Sequence, residues 1–192
     1  MIIGIDIDDT LSVLNKHKVK VANKYIKQNK LPFKLIDKNK QFFSEMYSWS
    51  KQECNKFWTE CANDLLATAP PRRNVKKFID KLKSDGHKII LITARSTDHL
   101  VDPYSLSEKW LNKHNICFDE LCVGYTVKTE ICLEKKVDVF IDDRVDNLLP
   151  LLPYNVKTLL MQTVSNKNDT SYNGTIVKSW KQVYKIISSL NK

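Results

Sequence analysis

Residues 2–10 read Ile-Ile-Gly-Ile-Asp-Ile-Asp-Asp-Thr, and this stretch decides the fold. Positions 2–7 are mostly β-branched and apolar, which is typical of a short strand that is buried in a sheet. The acidic residues that interrupt and follow this run are Asp6, Asp8 and Asp9. The stretch therefore predicts a buried strand that ends in a cluster of carboxylates.

Apolar runs of strand length alternate with segments of helical periodicity along the rest of the chain. We expect further strands at 88–93, 120–124, 137–141 and 156–161. We expect helices at 13–30, 52–67, 106–114, 129–136 and 180–190, a helix from 75 that stops at Gly86, and a polar loop at 166–174. Strands that alternate with helices imply a parallel sheet with helices on both faces. The predicted fold class is therefore α/β, with a Rossmann-like sheet.

Residues 11–68 separate the first two predicted strands by far more than the roughly dozen residues that a crossover needs. We therefore expect a small helical cap, inserted after the first strand of a single core that spans residues 1–192. Several aromatic side chains of this insertion could stack on a nucleotide base. We expect most of them to form the core of the cap instead: Phe42, Phe43, Tyr47, Trp49, Phe57 and Trp58.

The other predicted strands also end in polar residues. Thr93 and Arg95 end the second strand, Lys128 follows the third at the start of a helix, and Asp142 and Asp143 end the fourth. In open α/β sheets, ligands bind outside the carboxyl ends of the strands. We therefore expect these side chains to form one site together with the acidic cluster of the first strand.

These residue types suit the hydrolysis of a phosphate monoester. Such a dianion repels an attacking carboxylate, so a hard cation is needed between them, and Mg²⁺ binds through one or two carboxylates plus phosphate oxygen. Asp6 and Asp142 can supply those carboxylates, and Asp6 can act as the nucleophile that forms an aspartyl phosphate. Asp8 is the candidate general acid and base. Thr93 can donate a hydrogen bond to a phosphoryl oxygen, and Lys128 can neutralise charge there.

Four segments in this order resemble the four motifs of the haloacid dehalogenase (HAD) superfamily of phosphatases. They are Asp6-Ile-Asp8-Asp9-Thr10, the strand that ends in Thr93, Lys128, and the strand that ends in Asp142-Asp143. The resemblance covers residues 1 to about 150, and it implies Asp6 as nucleophile and Asp8 as acid and base. It also implies Mg²⁺ held by Asp6, the backbone carbonyl of Asp8, and Asp142, with Asp143 near the ion. Asp9 stands where many members carry glycine.

Three stretches are similar, more narrowly, to the cytosolic deoxyribonucleotidase-like branch of 5′-nucleotidases. They are Leu91-Ile-Thr-Ala-Arg95, the helical segment from Ser107 to Ile116, and Ile141-Asp-Asp-Arg144. This resemblance implies that the substrate is a nucleoside 5′-monophosphate.

Two assignments stay open at the level of the sequence. Lys128 fits the lysine motif because it begins a helix, but Lys135 and Lys136 lie nearer the next strand. Arg95 could bind the substrate phosphate or pair with an acidic neighbour, and the residues favour neither.

The composition is that of a globular protein, with 42% apolar and 28% charged residues among 192. No apolar run approaches the roughly 20 residues of a membrane span, and the first apolar stretch lacks the features of a signal peptide. The chain has five cysteines without a Cys-x-x-Cys pair, which favours reduced thiols and a cytoplasmic protein. The sequence predicts no oligomeric state.

The net charge of +9 suits an anionic partner, although the lysines are spread along the chain. The leading hypothesis is a small-molecule phosphatase that acts on a nucleotide. A sugar-phosphate phosphatase and a nucleic-acid end-processing phosphatase are the alternatives, and nucleic acid is not favoured. A phospho-receiver signalling domain shares an acidic pair, a threonine and a lysine, but the insertion after the first strand and the second acidic pair argue against it.

Overall fold

The computed structural model describes residues 1–40 and 42–190, and a six-stranded parallel sheet forms the centre of the molecule. The strands are β1 (Ile2–Ile5), β2 (Lys88–Thr93), β3 (Glu120–Val123), β4 (Val139–Asp142), β5 (Lys157–Met161) and β6 (Thr175–Val177). Their order in the sheet is β3-β2-β1-β4-β5-β6, and every neighbouring pair is parallel. The predicted α/β fold is confirmed.

Seven α-helices accompany the strands in the described part of the chain. They are α1 (Leu14–Gln28), α2 (Lys51–Thr68), α3 (Val75–Ser84), α4 (Pro103–Lys113), α5 (Thr129–Glu134), α6 (Val145–Leu148) and α7 (Trp180–Leu190). Short 3₁₀ turns lie at Phe43–Glu45 and Leu149–Leu151. The predicted helix that was to stop at Gly86 does so, with φ +84° at that glycine.

Two short elements, β6 and α6, were not predicted from the sequence, and the predicted start of α4 was too late. β6 has only three residues and its middle residue is exposed, so no periodic pattern could show it. α6 is four residues long. α4 begins at Pro103 rather than at 106, because Asp102 caps it by accepting a hydrogen bond from the Ser105 amide at 2.9 Å.

Alternate residues of the central strands pack against helices on opposite faces of the sheet. In β2, Ile89 and Leu91 belong to one buried cluster, which includes the apolar sides of α3, α4 and α7. Ile90 and Ile92 belong to the other, which includes those of α5 and α6. This alternation follows from the two-residue period of a strand. It confirms the prediction of helices on both faces.

The insertion between β1 and β2 has an aromatic core of its own. Phe43, Tyr47, Trp49 and Phe57 are buried there, as predicted for most of the aromatic side chains. Their rings lie in edge and tilted contacts, such as Phe43 against Trp49 at 4.9 Å between centroids. Phe42 is exposed, and the half-buried Trp58 stacks on His99. A capping box between Ser50 and Glu53 begins α2.

Gly4 lies in the middle of β1, where the sheet has no room for a side chain. A Cβ at this position would come within 2.8 Å of the Phe140 ring and 3.1 Å of Val137. Phe140 is fully buried and cannot swing aside freely. The close packing of β1 on its neighbours therefore requires glycine.

We expect Gly4→Ala to lower the free energy of unfolding by about 1–3 kcal/mol, because overpacking forces neighbours off their preferred positions. Urea denaturation measures the loss. In the double variant Gly4→Ala/Phe140→Leu, the smaller leucine relieves the clash. The double variant should therefore lose less unfolding free energy than the sum of the losses of the two single variants. Additive costs would show that the Phe140 ring is not the obstacle.

Candidate active site

The carboxyl ends of β1 and β4 lie side by side at the centre of the sheet. The strand order reverses direction between these two strands, and ligands bind at such switch points in open α/β sheets. Asp6 directly follows β1 and Asp142 is the last residue of β4. The Asp6 amide donates to the Ile141 carbonyl at 2.9 Å, which keeps the two strand ends together.

Lys128 joins these two carboxylates. Its Nζ lies 2.5 Å from Asp6 Oδ1 and 2.7 Å from Asp142 Oδ2, and all three side chains are buried. Burial alone would lower the pKa of Lys128, but the two carboxylates outweigh it and raise that pKa. Lys135 instead pairs with Glu120, at the start of β3. Lys128 is thus the candidate lysine that the fold brings to Asp6.

The acidic side chains at this edge are too many for one lysine to neutralise. Asp6, Asp142 and Asp143 each offer a carboxylate oxygen, and these atoms lie within 4.8 Å of one another. Burial raises the pKa of Asp6 to about 7, with further contributions from Asp142 and Asp8, although Lys128 opposes them. Burial and three neighbouring carboxylates raise the pKa of Asp143 well above its usual value. This oxygen-rich set fits a hard divalent cation.

Arg95 pairs with Asp8 rather than standing free for a ligand. Its Nη2 and Nε donate to the two carboxylate oxygens of Asp8 at 2.7 and 2.9 Å. Its Nη1 donates to Ser107 Oγ at 3.2 Å. Burial favours a higher pKa for Asp8, but the Arg95 guanidinium outweighs it and lowers that pKa. The sequence left open whether Arg95 binds a phosphate or pairs with an acidic neighbour, and the geometry shows the pair with Asp8.

A cavity of about 230 Å³ opens above these residues. Among the predicted site residues, its lining includes Asp6, Asp8, Thr93, Lys128 and Asp143. Asp142 and Arg95 are not part of the lining. Asp142 lies behind Lys128, to which it is hydrogen-bonded, and Arg95 lies behind Asp8 in the same way. The fold therefore brings all seven predicted site residues together, five at the cavity surface and two beneath it.

Known proteins with similar sequences identify the family. The model of the family described as 5′ nucleotidase, deoxy (Pyrimidine), cytosolic type C protein matches residues 1–192. The chain belongs to this family. A nucleotidase of Clostridium acetobutylicum is 29% identical over 189 residues, which cover 98% of this chain and 94% of that protein.

Solved structures show the same fold. A predicted phosphatase from C. acetobutylicum has a TM-score of 0.67 at 15% identity and covers 98% of both chains. A HAD hydrolase of Bacillus subtilis, bound to magnesium, has a TM-score of 0.66 at 12% identity and covers 97% of this chain and 98% of that chain. The recognition of a HAD-type phosphatase of the 5′-nucleotidase branch is confirmed, so the chain is a phosphoric monoester hydrolase.

Two polar residues of the candidate site were not predicted from the sequence. Lys18 of α1 reaches the cavity, and its charge helps to lower the pKa of Asp8. Leu14 and Asn15 line the cavity one turn earlier on the same helix, and only the structure shows that this face of α1 meets the cavity. Asn147 donates to Asp142 Oδ2 at 3.0 Å from α6, a helix too short to predict.

Asp9 has a left-handed backbone, with φ +58°. Glycine enters this region without steric cost, and aspartate is among the few other residues that tolerate it. This explains physically why glycine suits the position. Asp9 is held by its surroundings, since its carboxylate accepts from the Asn15 amide at 2.9 Å and its carbonyl accepts from Arg72 at 2.7 and 3.0 Å.

We expect Asp9→Gly to be more stable than Asp9→Ala by about 1 kcal/mol, because alanine pays the steric cost of the left-handed backbone. Both variants lose the carboxylate, so urea denaturation of the pair isolates the backbone effect. Lys24 is an exposed residue within α1 and serves as the control. There Lys24→Ala should be the more stable by about 1 kcal/mol, since glycine weakens a helix interior. The same ranking at both positions would contradict the explanation.

Proposed function

We propose that this phosphatase hydrolyses nucleoside 5′-monophosphates with Mg²⁺, through an aspartyl phosphate on Asp6. The observation that carries the proposal is the placement of two carboxylates, Asp6 and Asp8, on the wall of one cavity, with Lys128 of the same wall in contact with Asp6. The match of the whole chain to a 5′-nucleotidase family supports the substrate class.

In the first step, a carboxylate oxygen of Asp6 attacks phosphorus and the ester P–O bond breaks. The nucleoside oxygen leaves with a proton from Asp8. The Arg95 pair favours the ionised form of Asp8, but a phosphate dianion in the cavity raises the pKa of this carboxyl by like charge. The bound substrate thus promotes the protonated form that the first step needs.

In the second step, a water oxygen attacks phosphorus and the bond between phosphorus and Asp6 breaks. Asp8, ionised after the first step, takes a proton from this water. Arg95 stabilises this ionised form and fixes its direction with two parallel hydrogen bonds. The products are inorganic phosphate and the free Asp6 carboxylate, so the enzyme returns to its starting state.

Thr93 and Lys128 would stabilise the charge that moves between these groups. Thr93 is buried at the end of β2 and lines the cavity, where its hydroxyl can donate to a phosphoryl oxygen. Lys128 contacts Asp6 directly and lowers its pKa, which favours the ionised nucleophile. Asp6, Asp142, Asp143 and the Asp8 carbonyl would hold Mg²⁺. When bound, this ion reduces the repulsion between the phosphate and the attacking carboxylate.

The helical insertion, residues 11–68, would act as the cap over this site. Leu14, Asn15 and Lys18 of α1 line the cavity, so the insertion takes part in the space that a leaving group would occupy. A cavity of this size suits a compact monoester more than a polymer end. The five cysteines are free thiols, which fits a cytoplasmic protein. None of the helices in the described residues is long and apolar enough to cross a bilayer.

A phosphate-release panel tests the proposed substrate class. Nucleoside 5′-monophosphates should be hydrolysed faster than nucleoside 3′-monophosphates, sugar phosphates and 5′-phosphorylated oligonucleotides. Equal rates on sugar phosphates would contradict the substrate assignment, and faster release from oligonucleotide ends would favour an end-processing phosphatase.

We expect Asp6→Asn to lower the turnover number by at least about 10³-fold, because the amide cannot serve as the nucleophile. Steady-state phosphate release measures the loss. Asp64→Asn is the matched control, since Asp64 is an exposed residue of α2 that lines neither cavity. Substantial activity in Asp6→Asn would place the nucleophile elsewhere.

We expect Asp143→Asn to raise the Mg²⁺ concentration for half-maximal activity by about 10-fold or more, because one carboxylate is lost from the cluster. A magnesium titration of activity gives this value, and Asp64→Asn again serves as control. An unchanged titration would remove Asp143 from the metal site.

A further inference from the structure

A second cavity, of about 690 Å³, lies beside the catalytic one, and we call it the basic groove. It runs along the β5 and β6 side of the sheet edge, between the start of α1 and the loops that precede α3 and α7. Asp9 and Asn15 line both cavities and are themselves buried, so they form the partition between them. The groove contains neither Asp6 nor Asp8, so the proposed chemistry does not use it.

The wall of the basic groove is strongly positive. Six of its lining residues are cations, namely Lys16, Arg72, Arg73, Lys167, Lys178 and Lys181. The acidic residue of its lining is Asp9, whose carboxylate accepts a hydrogen bond from the backbone amide of Asn15. None of the ion pairs found among residues 1–40 and 42–190 includes any of the six cations. Arg72 lies near the carboxylates of Asp9 and Asp143, which partly balance its charge. The other five cations repel one another, and a bound anion would reduce that repulsion.

Backbone donors add to this field. Asn74 and Ser179, at the starts of α3 and α7, both line the groove. The N-terminus of a helix attracts anions through its free amides and its dipole. Asn74 has a left-handed backbone with φ +62°, and its side chain makes no capping hydrogen bond. The Val75 amide donates to the Arg72 carbonyl at 3.1 Å, whereas no side chain among the described residues caps the amides that follow it in α3. At α7 the Ser179 hydroxyl accepts from the Gln182 amide at 3.4 Å, so this helix contributes its dipole alone.

We propose that the basic groove binds a small molecule with a di- or triphosphate group, at a site separate from the catalytic cavity. The volume is within the range of small-molecule sites and suits a compact ligand. Several cations spaced around one concave wall match a chain of linked phosphates better than a single phosphate. Inorganic polyphosphate and nucleotides share this chemistry.

Calorimetric titration of inorganic tripolyphosphate, in buffer free of Mg²⁺, tests the site in the full chain. Lys167→Glu/Lys181→Glu reverses two exposed charges of the groove and should weaken binding by about 100-fold. Lys24→Glu/Lys113→Glu makes the same change of net charge at exposed positions outside both cavities. This control should weaken binding by less than about threefold, since screened distant charges contribute little. Equal weakening would mean general attraction and would overturn the proposal.

Three further titrations distinguish this binding site from the alternatives. Thr93→Val alters the catalytic cavity alone and should leave tripolyphosphate binding unchanged; a loss there would move the ligand to the catalytic site and overturn the proposal. ATP in place of tripolyphosphate distinguishes a nucleotide from an inorganic ligand, and stronger binding of ATP assigns a nucleotide. Tighter binding of a thymidine dodecanucleotide than of either probe, lost in Lys167→Glu/Lys181→Glu, would assign the groove to single-stranded nucleic acid instead. Thermal melting confirms that the variants fold.

Discussion

The buried contact of Lys128 with Asp6 and Asp142 is the interaction on which the site depends. Two carboxylates at adjacent strand ends repel each other, and the lysine between them offsets that repulsion. The three groups together carry a net charge of about −1. Removal of one member of a buried ion pair commonly costs about 3–5 kcal/mol, because the partner is left as an unpaired charge. The lysine therefore serves the fold as well as the proposed chemistry. Asp143 adds negative charge that Lys128 does not balance, and this excess is the physical argument for a cation at the same place.

The topology explains why these side chains meet. β1 lies between β2 and β4, so the residues that come after each of the three strands point to one edge of the sheet. Arg95 follows β2 and reaches Asp8, which follows β1, while Asp142 ends β4 beside Asp6. The helical insertion enters directly after the acidic cluster, which brings α1 to the rim of the cavity. Both the proposed catalysis and the proposed substrate selection thus depend on the acidic cluster and the insertion at the carboxyl end of β1.

The sequence could predict the central strands and their polar ends because buried parallel strands are continuous apolar runs, and a charged residue at the end of such a run is conspicuous. It could not predict β6 or α6, since three or four residues carry no period. The roles of Thr93, Lys128 and Asp143 were expected from their order along the chain, whereas the partner of Arg95 depends on side-chain geometry. The basic groove was beyond sequence reasoning because its cations come from several separate segments, and only the folded chain brings them together.

The central claim is that Asp6 carries the phosphoryl group during turnover. The most direct measurement is acid quenching of the enzyme with Mg²⁺ and a nucleoside 5′-monophosphate, followed by borohydride reduction and peptide mass spectrometry. The unaltered enzyme is quenched within milliseconds of mixing, because a change at Asp8 would slow the formation of the intermediate as well as its hydrolysis. The account predicts reduction of the acyl phosphate at Asp6, which converts this residue to homoserine. Modification of another residue, or a burst of nucleoside release that leaves Asp6 unmodified, would contradict it.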